Sequence, residues 1–120
     1  KIFDNALEGI VVTDSEGSIQ RTNPAFTNIT GYEPAEVLGK NTRILKSGVH
    51  TPEYYEEMWN SIHKNGCWQG EMWKRRRDGT LVPTWQSIAS IKDHHGKVIH
   101  YTAIFTDISK QKEKEEALRY

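Results

Sequence analysis

The stretch WQGEMWKRRRDGTLVPTWQSIASIKDHHGKVIHYTAIFT, residues 68–106, decides the fold of this 120-residue chain. It holds three runs rich in β-branched and aromatic residues, which predict strands over Trp68–Arg77, Thr80–Lys92 and Val98–Thr106. The segments between the runs end in glycine and are typical of hairpin turns: Asp78-Gly79 and Asp93-His94-His95-Gly96. Pro83 cannot donate a hydrogen bond to a neighbouring strand, so we expect it at a sheet edge or at a bulge.

The residues before this stretch predict two shorter strands and a group of short helices. The strands cover Gly9–Thr13 and Ser18–Thr22, and a polar loop covers Lys40–His50. The helices begin near Pro24, Pro34 and Pro52 and end at Gly31, Gly39 and Gly66. In the last helix, apolar side chains recur at helical spacing: Tyr55, Met58, Trp59 and Ile62. This order of elements predicts an α+β fold, with an antiparallel sheet and helices on one side.

Composition excludes several classes of protein. The 16 Lys and Arg residues balance 16 Asp and Glu residues, whereas a nucleic-acid binder normally carries a basic excess. The longest apolar run, Ile10-Val11-Val12, is far shorter than the ~20 residues of a membrane span. The single cysteine, Cys67, can form neither an internal disulfide nor a zinc cluster. The sequence therefore predicts a cytoplasmic setting with no membrane contact.

Short motifs are distributed over both halves of the chain. The first half contains Glu8-Gly9-Ile10-Val11-Val12-Thr13-Asp14, Thr22-Asn23-Pro24-Ala25-Phe26, Thr30-Gly31-Tyr32 and Leu38-Gly39-Lys40-Asn41. The second half contains Trp68-Gln69-Gly70-Glu71, Arg77-Asp78-Gly79-Thr80 and Asp107-Ile108-Ser109. Together these motifs resemble those of PAS sensory domains. The resemblance implies the PAS fold, a five-stranded antiparallel sheet in the order 2-1-5-4-3 with short helices on one face. It assigns residues 1–109 to the sensory domain and the highly charged residues 110–120 to the start of a connector helix.

Family members act as sensory or dimerising modules joined to output domains, most often histidine kinases of two-component systems or cyclic-di-GMP enzymes such as diguanylate cyclases. The resemblance therefore implies a regulatory module of a bacterial signalling protein that binds a small ligand or forms a homodimer. Asp107, Ile108 and Ser109 would relay its state to a C-terminal output domain. No nucleophile elbow, phosphate loop or His-Glu-x-x-His motif occurs, so we predict that the domain itself is not an enzyme.

The light-sensing flavin subfamily carries the motif Gly-x-Asn-Cys-Arg-Phe-Leu-Gln, where this chain has GKNTRILK at residues 39–46. Thr42 replaces the reactive cysteine, so cysteinyl-flavin photochemistry is excluded. In that subfamily, two Asn and one Gln side chains recognise the flavin ring. This chain has Lys74 and Thr84 in place of the Asn residues and Phe105 in place of the Gln. Asn41 and Arg43 remain. Redox-sensing flavin PAS domains resemble this chain through Thr51-Pro52, Trp59, Trp68, Gly70 and Arg76-Arg77-Asp78. This resemblance makes a redox-sensing FAD domain an alternative, beside a domain with no cofactor.

Strand alternation assigns the predicted ligand pocket. If Thr84 points inward, Gln86 does so too, and the same rule turns Tyr101 and Phe105 inward on the last strand. With the loop positions, the predicted pocket residues are Asn41, Thr42, Arg43, Trp68, Met72, Lys74, Thr84, Gln86, Tyr101 and Phe105. An aromatic stripe at strand spacing is also what a self-packed core needs, which is the alternative.

The opposite face of the sheet carries large apolar side chains. The predicted dimer face consists of Trp73, Trp85, Ala89 and Ile91. Such a face is too apolar to remain in water, which favours contact with a partner protomer or with an N-terminal helix at Phe3-Asp4-Asn5-Ala6-Leu7. The alternative is that the stems of Lys and Arg side chains cover it.

The histidines and the one basic run are weaker signals of a site. His50 and His63 flank the predicted long helix and are weak candidates for haem ligation, and solvated side chains explain them better. The spacing of the other histidines predicts no zinc site. Lys74-Arg75-Arg76-Arg77 is either a phosphate-binding strip of a nucleic-acid-binding module or a solvated strand end, and zero net charge favours the latter.

Overall fold

Five antiparallel strands form one sheet in the structure, a computed structural model that describes residues 2–5 and 7–119. The strands are β1 (Gly9–Asp14), β2 (Ile19–Thr22), β3 (Cys67–Arg75), β4 (Leu81–Lys92) and β5 (Val98–Asp107). Their order across the sheet is β2-β1-β5-β4-β3. This order confirms the PAS fold, because the N-terminal hairpin and the three C-terminal strands meet where β1 pairs with β5.

The helices are α1 (Ile2–Asn5), α2 (Pro24–Thr30), α3 (Pro34–Val37), α4 (Pro52–Asn65) and α5 (Ser109–Leu118). Local capping fixes where they begin and end. The Asn23 side chain accepts a hydrogen bond from the Phe26 N–H at the start of α2, and Thr51 accepts one from Tyr54 at the start of α4. Gly66 ends α4 in the left-handed conformation, with φ of 82°. None of the helices in the described part of the chain is both long and apolar enough to cross a bilayer.

The predicted polar loop contains a structured turn. Residues Thr42–Leu45 form one turn of 3-10 helix, and the Asn41 side chain caps it by accepting from the Arg43 N–H at 3.0 Å. Leu45 is buried in this turn. The prediction of a polar loop over Lys40–His50 missed this turn, because one turn is too short to show a helical period in the sequence.

The prediction for Pro83 was also wrong. Pro83 lies in β4, one strand in from the edge, and stands in regular register opposite Trp73 of β3. The Trp73 N–H points away from β4 and donates to His50 Nε2. Because directly opposite residues of an antiparallel pair orient their backbone groups alike, the nitrogen of Pro83 points away from β3, toward β5. Pairing with β5 begins only at Thr84. No carbonyl of β5 is therefore left without a donor by the proline. The Pro83 carbonyl accepts from the Ile108 N–H at 3.0 Å.

The helices cover one face of the sheet and create two apolar clusters there. The cluster that we call the α2 core contains Val11, Ile19, Phe26, Val37, Leu45 and Phe105. The second, the α4 core, contains Met58, Ile62, Met72 and Ile88. Ala103 of β5 lies between them and contacts both. A small side chain at this junction leaves room between the two clusters.

Candidate functional site

A hollow of about 440 Å³ lies between the inner face of the sheet, α4 and the 42–45 turn. Volumes of roughly 300–1,000 Å³ are typical of small-molecule sites. The residues that border the hollow include Val11, Thr13, Asn41, Thr42, Arg43, Lys46, Tyr55, Met58, Trp59, Met72, Lys74, Gln86, Ile88, Tyr101 and Ala103. We call this space the hollow.

Most of the predicted pocket residues border the hollow. They are Asn41, Thr42, Arg43, Met72, Lys74, Gln86 and Tyr101. The other three point toward the same side of the sheet but are used in packing. Trp68 packs edge-on against Tyr54, and Phe105 packs edge-on against Phe26. The Thr84 hydroxyl donates its proton to the carbonyl of Met72 at 2.6 Å, so this donor is not available to a ligand.

The sequence did not indicate the α4 wall of the hollow. Tyr55, Met58 and Trp59 border it, although their helical spacing predicted only a buried helix face. The edge of the Trp59 ring meets Tyr101 at a centroid distance of 5.3 Å. Lys46 also borders the hollow, and its ammonium lies 4.4 Å from the centre of the Tyr55 ring. Helical spacing shows that a face is apolar, but it does not show whether that face packs completely or borders open space.

Lys74 is the most unusual group at the hollow. Its side chain is only 6% exposed, and its Nζ donates to Gln86 Oε1 at 2.5 Å. The ammonium also lies 4.6 Å from the centre of the Phe105 ring. Burial lowers the pKa of Lys74 from 10.5 to about 7, because an ammonium taken out of water loses its hydration. The hollow therefore contains a lysine that changes charge near neutral pH.

The polar groups at the hollow do not reproduce the set that reads a flavin ring in the light-sensing subfamily. Of the three replaced positions, Thr84 is engaged with Met72 and Phe105 has no polar atom. The Asn41 side chain is occupied as well, because its amide donates to the Glu16 carbonyl and its oxygen caps the 42–45 turn. Lys74 and Gln86 are hydrogen-bonded to each other. Together they do not replace the two Asn and one Gln side chains that contact the flavin ring in the light-sensing subfamily.

The two histidines proposed for haem do not border the hollow. His50 Nε2 accepts from the Trp73 N–H at 2.8 Å, and the imidazole stacks on Tyr54 at 4.3 Å. Burial lowers the pKa of His50, which favours the neutral ring that this hydrogen bond requires. His63 is exposed on α4 beside Trp59. Neither imidazole is placed to bind a haem iron inside the hollow.

The basic run makes internal contacts at each position. Lys74 is buried beside the hollow, and Arg75 donates to the Ser47 carbonyl at 2.9 Å. Arg76 donates to the Ile29 carbonyl at 3.2 Å, and Arg77 forms an ion pair with Glu36 at 2.6 Å. These contacts tie β3 to the helical layer, so they favour a structural role for the run over a phosphate-binding strip.

Two of the predicted dimer-face residues are strongly exposed on the outer face of the sheet. Trp85 is 46% exposed and Ile91 is 42% exposed, with Ala89 between them on β4. Trp73 is half-buried, and its indole N–H donates to the Glu71 carboxylate at 3.1 Å.

The N-terminal helix does not cover these side chains in the described residues. Helix α1 lies beside α2 on the other side of the sheet, where the Phe3 carbonyl accepts from the Asn23 amide. Ala6, within the segment proposed to cover the face, lies outside the described residues. Helix α5 borders this face instead, because Gln111, Lys112 and Glu115 line a crevice together with Trp85.

The exit from β5 connects the sheet to α5. The Asp107 carboxylate accepts from the Ser109 N–H at 2.8 Å at the start of this helix. Lys112 then forms an ion pair with Glu71 of β3 at 2.6 Å. Helix α5 buries none of its residues, as the charged sequence predicted. It is held to the sheet mainly by the exit segment and this ion pair.

Comparisons with known proteins agree with this fold. A family model described as PAS domain matches residues 7–110. The nitrogen fixation regulatory protein of Klebsiella oxytoca is 35% identical over 118 residues, which cover 98% of this chain and 24% of that protein. The chain thus spans about a quarter of the length of this relative.

Solved structures are similar over most of the chain. The PAS domain of a protein from Colwellia psychrerythraea superimposes with a TM-score of 0.85 at 25% identity, covering 91% of this chain and 92% of that one. An RNA-binding light-oxygen-voltage receptor gives a TM-score of 0.83 at 27% identity, covering 98% of this chain and 34% of that one. On the fold and the family match together, the chain belongs to the PAS domain family, the sensory modules of signalling proteins.

Proposed function

We propose that this chain is the sensory module of a bacterial signal-transduction protein, that the hollow binds a small ligand, and that α5 carries the response to an output domain. Residues 1–109 form the sensory domain and residues 110–120 begin the connector helix. The output domain is a histidine kinase or a cyclic-di-GMP enzyme. The sensory module itself performs no chemistry.

One observation carries this proposal: β5, one of the strands that border the hollow, is the strand that leads into α5. Tyr101 and Ala103 of β5 face the hollow, and β5 continues directly into Asp107 and the start of α5. The Ile108 N–H donates to the Pro83 carbonyl of β4. A ligand that displaces β5 relative to β4 would therefore change the position of the first turn of α5.

The relay can be tested by filling the hollow. In Ala103→Leu the larger side chain occupies space that a ligand would occupy. We expect hydrogen–deuterium exchange at the amides of Ser109–Leu118 to change severalfold, because the exit from β5 shifts. The control is Ala35→Leu on the exposed surface of α3, which should leave exchange in α5 unchanged. Identical α5 exchange in both variants would contradict the relay.

We propose a second copy of this chain as the partner at the outer face. The exposure of Trp85 and Ile91 supports this proposal, because contiguous exposed apolar groups usually mark contacts. Zero net charge means that two copies do not repel each other strongly. Light scattering should give twice the mass of one chain, and Trp85→Glu should reduce it to that of a monomer. An unchanged mass in Trp85→Glu would count against this partner.

A redox-sensing FAD domain is the rival proposal for the hollow. Its support is the similarity in fold to a light-oxygen-voltage receptor, and the replaced ring-reading positions count against it. An absorption spectrum and a native mass spectrum of freshly purified protein separate the two. Flavin bands with a matching added mass would establish the rival, whereas their absence favours a different occupant.

A further inference from the structure

We infer that the hollow takes a small organic acid, whose carboxylate pairs with Lys74 and whose apolar body lies against α4. This inference rests on the proposal that the hollow binds a ligand, and it names the chemical class of that ligand. It is carried by the placement of Lys74 together with the shape and lining of the hollow.

The Lys74 ammonium has no anionic partner among residues 2–5 and 7–119. No carboxylate lies within 4.0 Å of it, and its neighbours are the Gln86 amide oxygen and the ring of Phe105. A buried cation is costly unless it is paired. Burial is also the cause that lowers its pKa, so no nearby carboxylate compensates for the lost hydration. An anion entering the hollow would supply the missing partner.

The other charged and titratable groups around Lys74 do not provide the anionic partner that its ammonium lacks. Arg43 and Lys46 are cations at the hollow, and they add positive potential for an entering anion. His50 is close enough for the Lys74 charge to lower its pKa. Tyr55 is neutral, since burial raises its pKa. Glu16 borders the hollow but makes no ion pair with Lys74.

The remainder of the lining suits an apolar body attached to the carboxylate. Met58 and Trp59 of α4 border the hollow beside Ile88 and Tyr101 of the sheet, against which they pack. Aromatic and thioether side chains adapt well to a flat or short aliphatic group. Gln86 can hold both Lys74 and a carboxylate, because its oxygen accepts from the ammonium while its amide N–H groups donate.

The first experiment compares acids with uncharged analogues of the same shape. Benzoate and hexanoate are titrated into the purified chain alongside benzamide and hexanamide, and binding is followed by amide chemical shifts in NMR. We expect each acid to bind about ten- to a hundredfold more tightly than its amide, which is the range for a hydrogen bond to a charged group. Shifts should concentrate at β3, β4 and α4.

Two lysine variants separate a specific pair from general positive potential. Lys74→Met removes the buried ammonium and retains a flexible apolar chain, so the preference for acid over amide should disappear. Lys46→Met is the matched control, because Lys46 also borders the hollow but is exposed above Tyr55. It should keep most of the preference. Equal loss in both variants would overturn the pairing with Lys74.

A pH series adds a readout that a purely structural lysine would not give. The affinity for benzoate should fall about tenfold for each pH unit above 7, since free Lys74 must take up a proton before pairing. In ¹³C-labelled lysine, the Lys74 Cε signal should titrate near pH 7 in the free chain and at higher pH with benzoate bound. A Lys74 signal unaffected by benzoate contradicts the inference.

The outcomes distinguish this inference from the proposed function. If the amides bind as tightly as the acids, or if Lys74→Met retains the preference, the ligand class is wrong while ligand binding in the hollow stands. If neither acid binds but an amide does, the same conclusion follows. If none of the four probes enters the hollow, the inference fails, and Ala103→Leu then decides separately whether the hollow communicates with α5.

Discussion

Two regions of the same sheet face have opposite characters. The α2 core is closed: Phe26 and Phe105 are both fully buried, and their rings meet edge-to-face at 6.0 Å. The hollow beside it holds about 440 Å³ and is bordered by a lysine and a glutamine. Strands β1 and β5 contribute residues to both regions. The face is therefore divided into a part that stabilises the fold and a part that can accept a ligand.

The difference comes from side-chain volume along β5. Phe105 fills the space below α2, whereas Ala103, two residues earlier on the same face, fills almost none. Lys74 spans the boundary, because its ammonium contacts the Phe105 ring and the Gln86 amide. The closed region thus forms one wall of the open region, which implies that stability and ligand binding respond differently to mutations a few residues apart.

The largest expected effect is in the closed region. Phe26→Ala should lower the free energy of unfolding by about 3–5 kcal/mol, because it removes the ring that packs on Phe105 and leaves a cavity. Met58→Ala, at the wall of the hollow, is the matched variant and should cost near the lower end of about 2–5 kcal/mol. Urea denaturation measures both. A larger loss in Met58→Ala would contradict the division of the face.

Lys74 gives the next largest effect, and it depends on pH. Its pKa is about 7 in the folded chain and about 10.5 when exposed, so the unfolded chain binds more protons between these values. Wild-type stability should therefore rise as pH increases from 7 to 10.5, by an amount on the order of a few kcal/mol. Lys74→Met should lack this rise, and urea denaturation at several pH values measures it.

The control for this pH series is Lys112→Met. Its ammonium is on the surface and paired with Glu71, which raises its pKa, so the variant should retain the wild-type rise above pH 7. Parallel stability curves for wild type and Lys74→Met would show that Lys74 is not the group whose deprotonation stabilises the fold.

Gly9 tests how tightly the closed region is packed. A Cβ at this position would lie 2.7 Å from Cε1 and Cζ of Phe105, and Phe26 restricts the movement of that ring. Gly9→Ala should therefore cost about 1–3 kcal/mol through overpacking. Adding Phe105→Leu should recover part of this loss, which a double-mutant cycle measures. Additive losses in the double variant would show that the ring is not the cause.

Most helix boundaries could be predicted because local chemistry fixes them. Asn23 and Thr51 cap helices through their own side chains, and the resemblance to PAS domains supplied the order of the strands. Pro83 was misplaced because its surroundings depend on where a distant strand, β5, stops pairing. That information is not present in the residues next to the proline.

The hollow was predicted in part. Alternation along β4 and β5 correctly assigned Gln86 and Tyr101 to the inner face. Alternation cannot tell a residue that borders open space from one that packs against a neighbour, so Trp68 was grouped with them and Tyr55 was missed. For Lys74 two signals in the sequence conflicted: the resemblance assigned it to the pocket, whereas a lysine followed by three arginines is typical of a solvated strand end.

The smallest expected effect comes from removing one methylene group in the α2 core and one at the hollow. Ile19→Val in the α2 core and Ile88→Val at the hollow remove the same atoms, and such changes cost about 0.5–1.5 kcal/mol. Ile19 is 1% exposed and surrounded, so its loss should lie at the upper end. Ile88 already borders open space, so the atoms removed have fewer partners and the loss should lie at the lower end. Equal losses would mean that ordered water or another occupant fills the hollow as completely as side chains fill the α2 core.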